Sequence, residues 1–518
     1  MKSFASVDRK FKNHAFGILF VFLLFLSTGS QAEQVVDTSG DIFKNLSGGQ
    51  AFNVGIQDSI LKALENNPTV TIQRIQSQIT SASVEEQRAA FDPELSVVAN
   101  KSKTKTEAQL GTRPEPLQLT TERSRISVAI SETLPTGTTL SLSSDMSGSV
   151  SSLYTDQASG SLQLSVTQSL LRGFGTGPNL ASLRKAKIDV DISQAELKTV
   201  AENLVAGVER AYWDLYLAGE NISIQKESLA LAEQQLNESI ERVAVGKLAE
   251  IELAAVNAEA ASRRELLINA QAGYEKARLQ FLYLLNPQGE NIWEMMPATI
   301  DKPFVPKDAM DEVSVHEQLG LKYRADLQQA RLSMEKGELE VQQTKNGLLP
   351  RLDFFINYGK SSYAESFSDA TPDPGSPYSN LSSGLTLTIP FSNRSAKAKH
   401  AKSLQSMEKM ELSLKNMERL VELDIRSAYI EAVKSRHMIE ATKVARELHQ
   451  KNMDAELEKF RVGKSTNILV LQAQRDFTAA KVDESEAMVG YLKALINLYQ
   501  MQGTLLERRG IEGIPDSL

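Results

Sequence analysis

Five histidines, one glycine-rich run and a scatter of carboxylates are the groups in this 518-residue chain from which chemistry could be built; there is no cysteine. A metal site asks for imidazoles or carboxylates at short, regular spacing. His14 lies in an N-terminal leader, and His316, His400, His437 and His449 are scattered, the last two twelve residues apart. On a helix that is more than three turns. Gly173-Phe174-Gly175-Thr176-Gly177 precedes helical text as a phosphate loop would, but has neither GxGxxG nor GxxxxGKS/T spacing. It reads instead as a flexible joint between a strand and a long helix. Glu241 and Glu458 occupy matched positions among helical charges, where surface solvation accounts for them. No nucleophile, acid–base pair or ligand set emerges, so the chain reads as neither an enzyme nor a cofactor or metal protein.

One short motif does occur twice, as Val245-Gly246-Lys247 and Val462-Gly463-Lys464. A glycine after helical text can end the helix in a left-handed conformation, and the lysine then faces the negative end of the helix dipole. The motif belongs to a longer repeat. Residues 211–285 align with 428–502 at a constant offset of 217, with Ala211, Tyr212, Gly273 and Tyr274 meeting Ala428, Tyr429, Gly490 and Tyr491. An earlier block repeats at offset 257, where Leu64, Arg74, Val84, Pro93 and Leu95 meet Leu321, Arg331, Val341, Pro350 and Leu352. Two long copies, each mixing helical and strand-like text, predict a pseudo-symmetric building block.

The elements that must position this motif follow from periodicity. Residues 1–32 read as a secretory signal: Lys2, Arg9, Lys10 and Lys12, an apolar run over 15–26, and Ser30-Gln31-Ala32 before the cleavage point. An uncleaved anchor is the alternative, with a run short for a span. Losing four basic residues and Asp8 moves the net charge from -8 to -11, which argues against nucleic acid as a partner. Residues 33–50 form a loose lead-in, and 51–91 read as helix broken at Asn67-Pro68. Alternation at Leu95, Val97, Ala99; Ile126, Val128, Ile130; Leu140, Leu142; and Leu162, Leu164, Val166 predicts four strands within 94–170. A long helical hairpin over 179–285 closes copy one (51–286), and a proline-marked linker spans 287–312.

Copy two (313–503) runs helically to Leu349, then gives strands within 351–391 and a second hairpin over 395–503; residues 504–518 form a tail. Residues 396–461 contain neither glycine nor proline and would span about 100 Å as one helix. Leu404, Met407, Leu414, Met417, Val421, Ile425, Ala428, Ala432 and Ile439 mark its coiled-coil-like seam. The strand faces opposite the apolar one are Ser, Thr, Asn and Gln, as in a membrane barrel with lipid outside and water inside, or in a sheet resting on a protein core. Phe354, Phe355, Tyr358, Tyr363 and Tyr378 favour the membrane. About six strands per chain fall short of the eight at which such barrels begin, so a barrel must be shared, three chains giving about 12 to 18 strands.

With Ala63-Leu64, Asn67-Pro68, the Pro93 and Pro350 helix-to-strand switches and the paired Val-Gly-Lys turns in this order, nearly the whole mature chain resembles the TolC-like outer-membrane efflux family. The resemblance implies a homotrimer: an outer-membrane β-barrel in contact with lipid, continued by an α-helical barrel across the periplasm. It implies a passive exit duct serving tripartite efflux or type I secretion. Residues 245–247 and 462–464 would lie at the periplasmic tip and meet an adaptor protein linked to an inner-membrane pump or ABC transporter. The family narrows its tube near the tip with carboxylates in the second copy, but here Leu469 and Gln472 stand at the sixth and ninth positions after Gly463. Glu252 takes the sixth position after Gly246, and these three are the candidate constriction residues. The competing expectation is an exported coiled-coil spacer or fibre, which leaves the alternating hairpins unexplained. Cargo stays open among drugs, metal ions and secreted proteins.

Overall fold

The computed structural model describes residues 51–108, 117–152, 155–289, 291–305 and 310–511. The leader, its cleavage point, residues 33–50 and the last seven residues of the expected tail lie outside this set. Copy one comprises β1 (Ala51–Val54), α1 (Ile56–Asn66), α2 (Pro68–Arg88), β2 (Glu94–Ala108), β3 (Leu117–Thr133), β4 (Thr138–Ser151) and β5 (Gln157–Ser169). It continues through a short α3 (Thr176–Asn179) into α4 (Ala181–Ala244) and α5 (Glu252–Leu285). After β6 (Met296–Thr299), copy two comprises α6 (Val313–Tyr323), α7 (Ala325–Asn346), β7 (Arg351–Ala364), β8 (Tyr378–Thr388), α8 (Arg394–Arg461) and α9 (Asn467–Met501), followed by a short α10 (Leu505–Arg508).

Local chemistry explains the boundaries. Asn67 stands extended before Pro68; its Oδ1 accepts from the Thr69 N–H at 2.9 Å, and its Nδ2 donates to the Leu284 carbonyl at 2.9 Å. Pro at N1 loses nothing, because that N–H has no intrahelical partner. The matching place in copy two is Arg324-Ala325, and here the continuous helix expected up to Leu349 is interrupted. Arg324 is extended and pairs with Asp326 at 3.0 Å and Asp424 at 2.9 Å. The break thus survives without its proline, held by charge pairing.

The stretch expected to start as helix at 51 instead forms β1, paired in parallel with β6 inside the expected linker. Four-residue strands carry too little alternation to be read alone. Tyr212 pins this pair to α4: its hydroxyl contacts the Val54 carbonyl at 3.2 Å, lies 3.0 Å from Asp301 Oδ2 and accepts from the Asp301 N–H at 3.0 Å. Burial pushes the Tyr212 hydroxyl up to about 12. The described part of the expected tail, 504–511, likewise packs on the body. α10 buries Leu505 and Leu506, and Arg509 grips the fully buried Glu209 through two bonds of 2.6 and 2.7 Å.

Strands β2-β3-β4-β5-β7-β8 form one antiparallel sheet, so the extra hairpin of copy one joins it. Register carries Leu95, Ile130, Leu142, Leu164, Tyr358 and Leu381 in one row across all six strands. Every member of that row is exposed, from 45% for Tyr358 to 71% for Leu381. The row beside it on the other face is Ser96, Ala129, Ser143, Gln163, Gly359 and Asn380. Of the five aromatics expected to favour lipid, only Phe354 and Tyr358 share the apolar face. Phe355 covers Gly384 from the polar face, and Tyr363 and Tyr378 stack edge-on there, 5.4 Å apart. The alternation of strand side chains fixes this.

The apolar core lies where the copies meet. Ile60 and Ala63 of α1, Val205, Val208 and Tyr212 of α4, Phe281 and Leu285 of α5, and Val489 and Ile496 of α9 pack together. A second cluster joins Leu327 to Val421, Ile425, Ala428 and Ala432 of the α8 seam. Leu404, expected in that seam, is exposed, and Ser403 is buried in its place. The glycine-rich joint is tied rather than loose. Asn179 Nδ2 lies 3.2, 2.8 and 2.9 Å from the Pro135, Gly173 and Gly175 carbonyls. Gly137 is obligatory there, with φ +85° and a Cβ that would lie 2.1 Å from the Gly173 carbonyl oxygen.

Candidate functional site

At 1.5 Å per residue, the 64 residues of α4 and the 68 of α8 each run about 100 Å. The far ends of these helices carry the two Val-Gly-Lys turns. Gly246 has φ 74° and Gly463 φ 75°, the left-handed region glycine enters without strain. The Lys247 N–H donates to the Arg242 carbonyl at 2.8 Å and the Gly246 N–H to the Val243 carbonyl at 2.9 Å. In the second turn, Lys464 donates to Lys459 at 2.7 Å and Gly463 to Phe460 at 3.1 Å. This reciprocal pair is the Schellman arrangement, which satisfies the last carbonyls of each helix. Val245, Lys247, Val462 and Lys464 are all exposed, presenting an apolar and a cationic group beside each turn.

Below the turns the hairpins are tied by groups the repeat alone does not reveal. The Arg242 guanidinium sits 4.3 Å from the centre of the Phe460 ring, joining the last turns of α4 and α8. Buried Asn467, opening α9, accepts from Gln235 Nε2 of α4 at 3.0 Å and donates to Glu252 Oε2 of α5 at 3.3 Å. Farther along, Thr478 meets Ser228 at 3.3 Å and Lys481 pairs with Glu227 at 2.6 Å. Lys459 and then Ser465 hold the Glu456 carboxyl below its usual range beside the second turn.

The three candidate constriction residues therefore separate. Glu252 joins the polar knot around Asn467, whereas Leu469, 49% exposed, and Gln472 lie on the face of α9 turned away from its own core. The signal for the ties was present as differences between the copies. At offset 217, Arg242 faces Lys459, Val243 faces Phe460, Glu250 faces Asn467 and Glu252 faces Leu469. Among the described residues, no cluster of three His, Cys, Asp or Glu could hold a metal ion, and no helix is long and apolar enough to cross a membrane.

Comparison with known proteins bears on the family and the fold. The family model described as outer membrane efflux protein matches residues 60–286 and 318–504, one block in each copy. Pyoverdine export outer membrane protein OpmQ of Pseudomonas aeruginosa is 24% identical over 341 residues, spanning 63% of this chain and 67% of the relative. Among solved structures, the Campylobacter jejuni CmeC outer membrane channel superposes with a TM-score of 0.65 at 16% identity, covering 87% of this chain and 86% of that one. The Vibrio cholerae outer membrane protein VceC gives 0.65 at 14% identity, over 86% and 96%. The mostly helical, two-copy architecture with its sheet is therefore a shared fold, and this chain belongs to the outer membrane efflux protein family.

Proposed function

We propose that three copies close their sheets into one cylinder of about 18 strands in the outer membrane, forming a passive exit duct from the periplasm to the exterior. The observation that carries this reading is the six-residue apolar row, exposed across every strand while the row beside it on the opposite face is of small and polar residues. Strands β2 and β8 are the sheet's ends and leave one edge each unpaired within the chain. In hydrocarbon such edges must find partners, and closure with other copies supplies them. A cylinder of 16 to 18 strands leaves an aqueous channel.

The two glycine turns then form the periplasmic tip that docks on an adaptor protein, with Val245, Lys247, Val462 and Lys464 as contacts. The adaptor links the duct to an inner-membrane pump or ABC transporter, in tripartite efflux or type I secretion, which supplies the energy. Glu252, Leu469 and Gln472 are the proposed constriction, and docking widens it by loosening the ties around Asn467 and Phe460. Purified protein in detergent should sediment as a trimer and give single-channel conductance in planar bilayers. A stable monomer in detergent-free buffer refutes the duct. Cross-linking the Gly246 and Gly463 turns between copies should stop export; undiminished export refutes the gating step.

A further inference from the structure

We propose that the polar face of the sheet carries an exit-side binding subsite for anionic, oxygen-rich cargo, centred on Arg123; this rests on the duct reading. A concavity of about 650 Å³ opens on that face, lined by Asn100, Ser102, Arg123, Arg125, Ser149 and Gln157 among others. Its wall offers hydroxyl and amide groups from five strands, and the formal charges are few among the described residues. Arg125 is neutralised by Asp145 at 2.7 Å. Arg351 and Asp353, nearer the helices, neutralise each other at 2.6 Å. Among the described strand residues on the polar face, that leaves Arg123, exposed, and Glu94.

Register separates these two. Arg123 lies opposite Ser102, eight residues along β2 from Glu94, which is roughly 27 Å at strand rise. That distance is about three Debye lengths at physiological salt, so Glu94 does not cancel Arg123. Among the described strand residues of that face, each copy thus contributes one guanidinium with no ion-pair partner, and three would ring the lumen. A guanidinium binds carboxylate or phosphate in a bidentate fork, and neighbouring hydroxyls and amides complete the shell of a multiply charged anion. The anionic class of the cargo follows from this ring.

The test uses the full-length channel in planar bilayers, with a potassium chloride gradient and citrate added on the barrel side. Wild type should show saturable citrate block. Arg123→Gln should weaken that block about tenfold and lower the chloride-to-potassium permeability ratio about twofold. Arg123→Lys should retain most of the permeability ratio while losing part of the block. Lys101→Gln changes charge one residue from Ser102 on the apolar face and should alter neither reading. Channels that conduct but show no citrate block in wild type overturn the subsite and leave the duct standing. So does a Lys101→Gln effect equal to that of Arg123→Gln. Absence of any conductance overturns the duct and the subsite together.

Discussion

Four glycines related by the repeat should respond to alanine with opposite signs. Gly246 and Gly463 have φ 74° and 75°, and a Cβ at either meets nothing within 4 Å, so the cost of alanine there is purely conformational. A left-handed L-residue costs about 1–2 kcal/mol, and 1.4 kcal/mol is about tenfold in an equilibrium. Local opening of each turn should therefore become about 5- to 30-fold more frequent. The reporters are the amides of residues 246, 247, 463 and 464, whose bonds to the helix ends close the turns. Gly273 and Gly490 form the matched pair inside α5 and α9, also with nothing within 4 Å. Alanine there should stabilise each helix by about 0.5–1 kcal/mol and slow exchange nearby. Hydrogen exchange read by mass spectrometry over peptides covering 240–252 and 457–468 measures the first pair. Asparagine, which visits the left-handed region more readily, should have a smaller effect than alanine at 246 and 463. Exchange within twofold of wild type in both alanine variants would refute the argument that backbone conformation, and not space, fixes these glycines.

Three further outcomes follow from buried polar groups. Arg509→Gln leaves the fully buried Glu209 carboxylate unpaired and should cost about 3–5 kcal/mol in a thermal unfolding measurement, with Glu209→Gln in the same chain recovering much of it. Asn467→Leu strips the partner from Gln235 and Glu252, a loss of about 1–3 kcal/mol at the tie between hairpins; bilayer recordings should show a larger open fraction. Burial pushes the Glu202 carboxyl from 4.5 up to about 7, with Lys198 at 3.9 Å opposing the rise. The folded state then holds more protons than the unfolded state between about pH 4.5 and 7, so stability falls as pH rises through that window, by roughly 3 kcal/mol, and levels off above it. Glu202→Gln should flatten that slope, and an unchanged slope in denaturant midpoints from pH 4.5 to 8 would contradict the assignment.

Long periodic elements were legible in the sequence because their signal accumulates. The proline-free text of α4 and α8 and the alternation of all six sheet strands needed no tertiary information. What stayed hidden depends on single contacts between distant segments. β1 and β6 are four residues each, and they exist because Tyr212 and Asp301 hold them. The break at Arg324 has no proline, though the aligned Asn67-Pro68 pointed to it. Ser403 is buried where Leu404 was expected, and Thr344 bonds its hydroxyl at 2.8 Å. Site residues followed the same rule: the glycine turns were readable as local backbone chemistry. Asn467 and Phe460, whose roles come from partners over 200 residues away in sequence, were not.

The margins of the chain agree with one another, and that agreement bears on assembly. In the helical layer α2 packs on α4, α4 on α7 and α7 on α8, which places α2 and α8 at opposite margins. In the sheet the ends are β2 and β8. α2 leads into β2, and β8 leads into α8, so each helical margin continues into the sheet edge on its own side. Both helical margins expose apolar stripes at helical spacing: Ile72, Ile75 and Ile79 on α2, and Leu412, Leu420 and Leu423 on α8, each from 48% to 66% exposed. A face-to-face pairing of identical margins would match α2 with α2 and could not extend a ring. A head-to-tail contact of the α2–β2 margin with the α8–β8 margin of the next copy is heterologous, and it closes when the rotation closes. Under the proposed trimer, one such interface, repeated three times, would complete the strand hydrogen bonds above and bury the leucine and isoleucine stripes below.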